Sequence, residues 1–127
     1  MLINKSSGEP VYMQIINQYK RQVASGALKP HDKLPSVRRL SYELGINPNT
    51  LQKSFSQMET AGICYSLPGK GRFISEDAIK IIQDDAKVYF DALDNIIESL
   101  VMCNLNVEEI VSRVRKSYSK AVVRINS

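Results

Sequence analysis

The chain has 127 residues, enough for one domain of ordinary size or a compact domain with an appendage that does not stand alone. Hydrophobic content of 43% and charged content of 24% are globular values that argue against wholesale disorder. No run approaches the roughly 18 apolar residues of a membrane span, and the start of the chain lacks a signal-peptide core. The net charge of +4 divides unevenly, +6 over residues 1–74 and −2 over residues 75–127. The front half is therefore the part suited to a polyanion, unless the imbalance is only an unevenly charged surface. Cys64 and Cys103 are isolated and His31 is the single histidine, so no metal set forms. A cytoplasmic protein with reduced thiols is expected.

The first periodic segment runs from about Pro10 to Ala24. Tyr12, Ile15, Ile16, Tyr19 and Val23 recur at helical spacing, Pro10 suits a first-turn position and Gly26 is a stop. A loop from Leu28 to Pro35 leads to a short helix that Ser36 can cap, with Val37, Leu40 and Leu44 inward. Gly45 suits its left-handed end. Only Ile46 lies between Gly45 and the next cap, Asn47; Pro48 then takes the first helical position, and Leu51, Phe55 and Met58 form an inward stripe. Helix, tight glycine turn and helix make a helix-turn-helix pattern, moderately specific by itself. Beyond Gly62, the β-prone runs Ile63–Leu67 and Arg72–Ile74 flank Pro68-Gly69-Lys70-Gly71, a hairpin with a basic tip. Three helices followed by a hairpin is the order of a winged helix.

From Ser75 the pattern becomes a seam. Ile79, Ile82, Ala86, Tyr89, Leu93, Ile96 and Leu100 alternate at three and four residues, which predicts a helix of about 28 residues and roughly 42 Å. Ser75 is its expected cap, with Glu76 and Asp77 in the first turn. After a break near 103–105, Asn106 can cap a second helix with the stripe Val107, Val111, Val114, Tyr118, Ala121 and Ile125. Residues 76–98 hold seven acids and two lysines, residues 106–124 five bases and two acids, which favours antiparallel neighbours. Two helices cannot bury both seams alone, so a partner is needed, most simply a second copy. The expected fold class is mostly α with a small β-hairpin. A winged helix-turn-helix domain occupies residues 1–75 and a two-helix dimerisation tail residues 76–127.

The stretch Leu34-Pro35-Ser36-Val37-Arg38, then Leu40, Leu44-Gly45-Ile46-Asn47-Pro48-Asn49-Thr50-Leu51, Met58-Glu59, Gly62 and Gly69-Lys70-Gly71-Arg72-Phe73-Ile74 resembles the DNA-binding domain of the GntR family. Pro10-Val11-Tyr12-Met13-Gln14-Ile15 is similar to that family's first helix, and the likeness covers about residues 9–75. The Asn47-Pro48-Asn49-Thr50 start and the short tail resemble the YtrA subfamily in particular. The resemblance implies a homodimeric repressor on a palindromic DNA operator, with the recognition helix in the major groove, the wing on the minor groove and an operon often encoding an ABC transporter. Three departures affect operator sequence rather than fold: Pro30-His31 for Pro-Gly, Gly71-Arg72-Phe73 for Gly-Thr-Phe, and Gln52-Lys53 where many relatives carry arginine.

In such a motif the start of the second helix faces base edges while its surroundings hold phosphates. The candidate DNA-facing set is Ser36, Arg38, Arg39, Asn47, Asn49, Thr50, Gln52 and Lys53, with Gly69, Lys70 and Arg72 of the wing. Asn49 and Gln52 carry amides that pair bidentately with adenine, each contact worth roughly 1–3 kcal/mol of discrimination. Thr50 suits a phosphate or a local cap, and Arg38 matches a family position that contacts DNA. The plainer alternative for each is a solvated surface side chain. The candidate dimer seam is Ile82, Tyr89, Leu93, Ile96, Leu100, Val111, Val114 and Tyr118. A small-molecule effector has two candidate places, the junction of the domains and the space between the tail helices, but no residue cluster names one, and a tail of about 50 residues need not carry a pocket. His31 reads as structural or exposed. The rival reading is a winged-helix adaptor for another protein that does not read sequence. No nucleophile–base pair, phosphate loop or carboxylate pair points to an enzyme.

Overall fold

The computed structural model describes residues 1–126. In chain order the elements are α1 (Val11–Ala24), α2 (Val37–Leu44), α3 (Pro48–Thr60), β1 (Cys64–Leu67), β2 (Gly71–Ile74), α4 (Ala78–Met102) and α5 (Val107–Asn126). The chain divides into two compact units, the first ending at Asp85 and the second beginning at Ala86. Among the described residues no helix is long and apolar enough to cross a membrane.

The first unit is a winged helix built on local signals. Ser36 caps α2 by accepting the Arg39 N–H at 3.1 Å. Gly45 closes α2 in the left-handed conformation, φ 63°, which opposes a side chain. Two residues later Asn47 caps α3, its Oδ1 accepting the Asn49 N–H at 2.8 Å, and Pro48 occupies the first turn. Pro10 lies just outside α1 as its N-cap rather than within the first turn; its carbonyl accepts from Met13 and Gln14. The expected inward stripe of α3 is fully enclosed: Leu51, Phe55 and Met58 meet Ile15, Tyr19 and Val23 of α1, Leu40 of α2 and Ile63 and Ile74 at the sheet. Burying each large side chain contributes about 1.5–3 kcal/mol. The Tyr19 and Phe55 rings lie 5.9 Å apart, tying α1 to α3.

β1 and β2 pair antiparallel, with Tyr65 opposite Phe73 and Leu67 opposite Gly71. Their turn has Pro68 second and Gly69 at φ 74° third, closed by the Lys70 N–H on the Leu67 carbonyl at 2.9 Å. The loop before α2 runs along the free edge of β2: Lys33 bridges Phe73, Leu34 N–H donates to the Arg72 carbonyl and His31 N–H to the Ile74 carbonyl. His31 has φ 69°, and its ring reaches the Tyr65 hydroxyl at 2.8 Å and Glu76 at 2.7 Å. It is exposed and structural, joining the loop, the wing and the segment before α4.

Three further expectations around this unit change. Ser75 does not cap α4: its N–H donates to the Ile63 carbonyl at 2.9 Å, prolonging the hairpin, and the helix starts at Ala78, beyond Glu76 and Asp77. The first turns of α4 belong to the first unit, with Ala78 buried and Ile81 and Ile82 packed on its core, so Ile82 leaves the expected seam. Arg72 does not extend from the wing tip. Its guanidinium lies 5.3 Å over the Phe55 ring and its Nε 3.5 Å from Glu59, so it holds the wing on α3.

In the second unit the helices meet at a turn where Asn104 takes φ 62°, and Asn106 caps α5 by accepting the Glu109 N–H at 2.9 Å. Ile97, Leu100, Ile110 and Ala121 are half-buried. Tyr89, Leu93 and Ile96 on one face of α4, and Val107, Val111, Val114 and Tyr118 on one face of α5, stay exposed.

Candidate nucleic-acid interface

The helix-turn-helix brings the start of α3 and the outer face of α2 together. Asn49, Gln52, Lys53 and Ser56 are exposed, while Leu51, Ser54, Phe55 and Met58 hold the opposite side of α3 in the core. Ser54 fixes the helix laterally, its hydroxyl donating to the Tyr12 carbonyl of α1 at 2.9 Å. Gln52 donates to the Ser56 hydroxyl at 3.2 Å, an exposed contact that a better acceptor can displace. The Lys53 ammonium lies 3.8 Å over the Tyr12 ring, so its charge is held beside the start of α1 rather than directed straight outward. Thr50 is half-buried and donates its N–H to the Asn47 carbonyl. Asn47 spends its Oδ1 on the cap, and Ser36 its hydroxyl oxygen on the α2 cap.

On α2 the two arginines differ. Arg39 Nε sits 2.9 Å from Glu43 Oε1 one turn on, whereas Arg38 is exposed and makes no ion pair or side-chain hydrogen bond among the described residues. Arg38, Tyr42 and Pro48 border an open hollow of about 850 Å³ between α2 and the start of α3. Tyr42 is 90% exposed and was not singled out from sequence. Its place one helical turn after Arg38, away from Leu40 and Leu44, is the signal that could have found it. On the wing, Gly69 and Lys70 stand at the exposed tip. Lys33 adds a cation there, its Cε 3.0 Å from where a side chain on Gly71 would begin. Arg72 faces inward as described.

Two titratable side chains lie in the interior behind this surface. Burial, helped by Glu59, pushes the Cys64 thiol up to about 11, and burial together with Glu43 pushes the Tyr19 phenol up to about 12. Cys64 stays protonated near neutral pH, and its Sγ lies 3.9 Å from the Phe55 carbonyl. Around the start of α3 the surface offers amides, hydroxyls and the Arg38 guanidinium, which suits a polyanion with readable edges.

Comparison with known proteins agrees. The model for "Bacterial regulatory proteins, gntR family" matches residues 11–74, from α1 to the last residue of the hairpin. The HTH-type transcriptional regulator YhcF of Bacillus subtilis is 33% identical over 109 residues, covering 86% of this chain and 90% of YhcF. The HTH-type transcriptional repressor YtrA of the same organism is 46% identical over 76 residues, covering 60% of this chain and 58% of YtrA. A solved transcriptional regulator from Oenococcus oeni superimposes with a TM-score of 0.71 at 30% identity, covering 93% of this chain and 97% of that one. With the helix-turn-helix, the wing and a match that spans both, the chain belongs to the GntR family of bacterial regulatory proteins and is a YtrA-like, DNA-binding transcriptional regulator.

Proposed function

We propose that the chain is a homodimeric repressor acting in the cytoplasm, without catalysis, on a palindromic operator in duplex DNA. Each subunit places the start of α3 in the major groove and the tip of the wing against the neighbouring backbone or minor groove. Arg38, Asn49 and Gln52 read bases; Ser36, Arg39, Asn47, Thr50 and Lys53, with Gly69 and Lys70 of the wing, follow the phosphates; Arg72 keeps the wing in register from inside. The observation that carries this reading is Arg38, an exposed cation that engages no acid among the described residues, one turn from Tyr42 and beside the amide-bearing start of α3. Tyr89, Leu93, Ile96, Leu100, Val111, Val114 and Tyr118 supply the surface for the second copy. The exposed members of that set have little reason to stay uncovered on a lone chain. By likeness to the YtrA group, the controlled operon encodes an ABC transporter.

Selection from a random pool of duplexes, followed by footprinting on the enriched sequence, tests the proposal. The expected outcome is a symmetric footprint of two half-sites about one helical turn apart, or a multiple of it. Weak, salt-sensitive binding without enrichment would refute it and favour the adaptor.

A further inference from the structure

Residues 1–9 precede α1, and a segment in such a position is ordinarily loose unless something ties it down. Two glutamines of α1 do so. Gln14, only 9% exposed, accepts the Asn4 N–H at 2.9 Å and donates to the carbonyls of Asn4 and Glu9 at 2.8 Å each. Gln18 accepts the Leu2 N–H at 3.2 Å and donates to the Leu2 carbonyl. Each carboxamide thus engages the backbone on both its donor and acceptor sides, as a neighbouring strand does. Within the segment, Asn4 Oδ1 accepts from the amide and hydroxyl of Ser6 at 3.1 and 2.8 Å.

The segment carries one cationic side chain, Lys5, whose ammonium ends 3.3 Å from the carbonyl of Gly45 in the helix-turn-helix turn. That carbonyl takes one of three ammonium protons. No described carboxylate lies within ion-pair distance of Lys5, so the charge and two donors remain available. Gly45 lies two residues before Asn47, the cap of α3, so the Lys5 contact places the segment beside the face already described.

We infer that this N-terminal arm is a further DNA-contacting element: Lys5, carried to the Gly45 turn by Gln14 and Gln18, binds a backbone phosphate flanking the groove that α3 enters. The inference rests on the proposed function. The competing role for Lys5 is to complement the negative end of the α2 dipole, which requires no DNA.

Fluorescence anisotropy of the full chain on its selected duplex, across a salt series, separates the two. Lys5→Gln removes the charge and leaves a neutral, shorter donor; Lys5→Arg keeps a charged donor. One phosphate contact accounts for about 0.9 in the slope of log affinity against log salt, or about fivefold in affinity at roughly 0.15 M salt. Lys5→Gln should lose that much per subunit with an unchanged melting temperature, and Lys5→Arg should restore it. A lowered melting temperature with an unchanged slope, or no change in either, overturns the inference. If Arg38→Ala weakens binding while Lys5→Gln does not, the arm alone fails. If the unmodified chain enriches no sequence, the functional reading fails and the arm falls with it.

Discussion

Arg38→Ala separates a binding surface from a merely solvated one. Arg38 is exposed and holds no described acid, so its removal should alter folding stability by no more than about 0.5 kcal/mol. On DNA the loss is larger. A bidentate contact to a base is worth about 1–3 kcal/mol, and two subunits make it twice, so operator affinity should fall by about 2 kcal/mol at least, well over tenfold. Arg39→Ala is the matched control: its guanidinium already engages Glu43 at 2.9 Å on the same exposed helix, a pair worth about 0.3–0.5 kcal/mol. It should cost less affinity than Arg38→Ala. Anisotropy on the selected duplex measures the affinities, and thermal melting confirms that both variants fold. A change of less than twofold for Arg38→Ala removes it from the interface. A fall of several degrees in melting temperature would instead show that Arg38 has a structural task that these contacts omit.

Three further outcomes follow from other parts of the molecule. Leu93→Asp with Ile96→Asp, both on the exposed stripe of α4, should yield monomers by sedimentation, keep the winged helix folded and abolish tight operator binding; a dimer that survives would place the subunit contact elsewhere. Tyr19 and Cys64 are acids whose neutral forms the fold favours, mainly through burial, with values raised from 10.0 to about 12 and from 9.0 to about 11. The unfolded chain therefore deprotonates first, and stability present below about pH 9 should decline as pH rises toward 12. Tyr19→Phe should flatten the part of that decline between about pH 10 and 12 in urea unfolding, and parallel curves for the two proteins would contradict the assignment. Gly62→Ala forces a side chain into φ 83° with its Cβ 3.1 Å from Ile81 Cδ1, so it should cost about 1–2 kcal/mol by urea unfolding; an unchanged midpoint would remove the strain.

The parts legible in the sequence are those fixed by contacts a few residues apart. Ser36, Asn47 and Asn106 cap helices through bonds spanning two or three residues, so composition alone places three helix starts. The Leu51, Phe55 and Met58 stripe is buried where its period puts it. What the pattern did not disclose depends on residues distant in sequence. Ser75 looks like a cap, but it continues the hairpin, bonded to the Ile63 carbonyl twelve positions earlier, and α4 begins three residues on at Ala78. Ile82 fits a heptad seam, yet the neighbouring Ala78 and Ile81 turn that part of α4 onto the first unit's core. Arg72 reads as a wing-tip cation until Glu59 and Phe55 of α3 draw it inward. Lys53 and Lys5 belong to the same class, since their partners Tyr12 and Gly45 lie some forty residues away. The face of α3 was therefore readable, and the arrangement of cations around it was not.

The most direct test of α3 as the reading element is a comparison of the unmodified chain and Asn49→Ala on a library carrying every single-base change in the selected operator. Asn49 is exposed at the capped start of α3, and its side chain makes no hydrogen bond among the described residues. Its loss should erase base preference at one position in each half-site and leave the other positions ranked as before. An unchanged preference at every position, or a uniform loss of affinity across the whole library, would contradict base reading by α3.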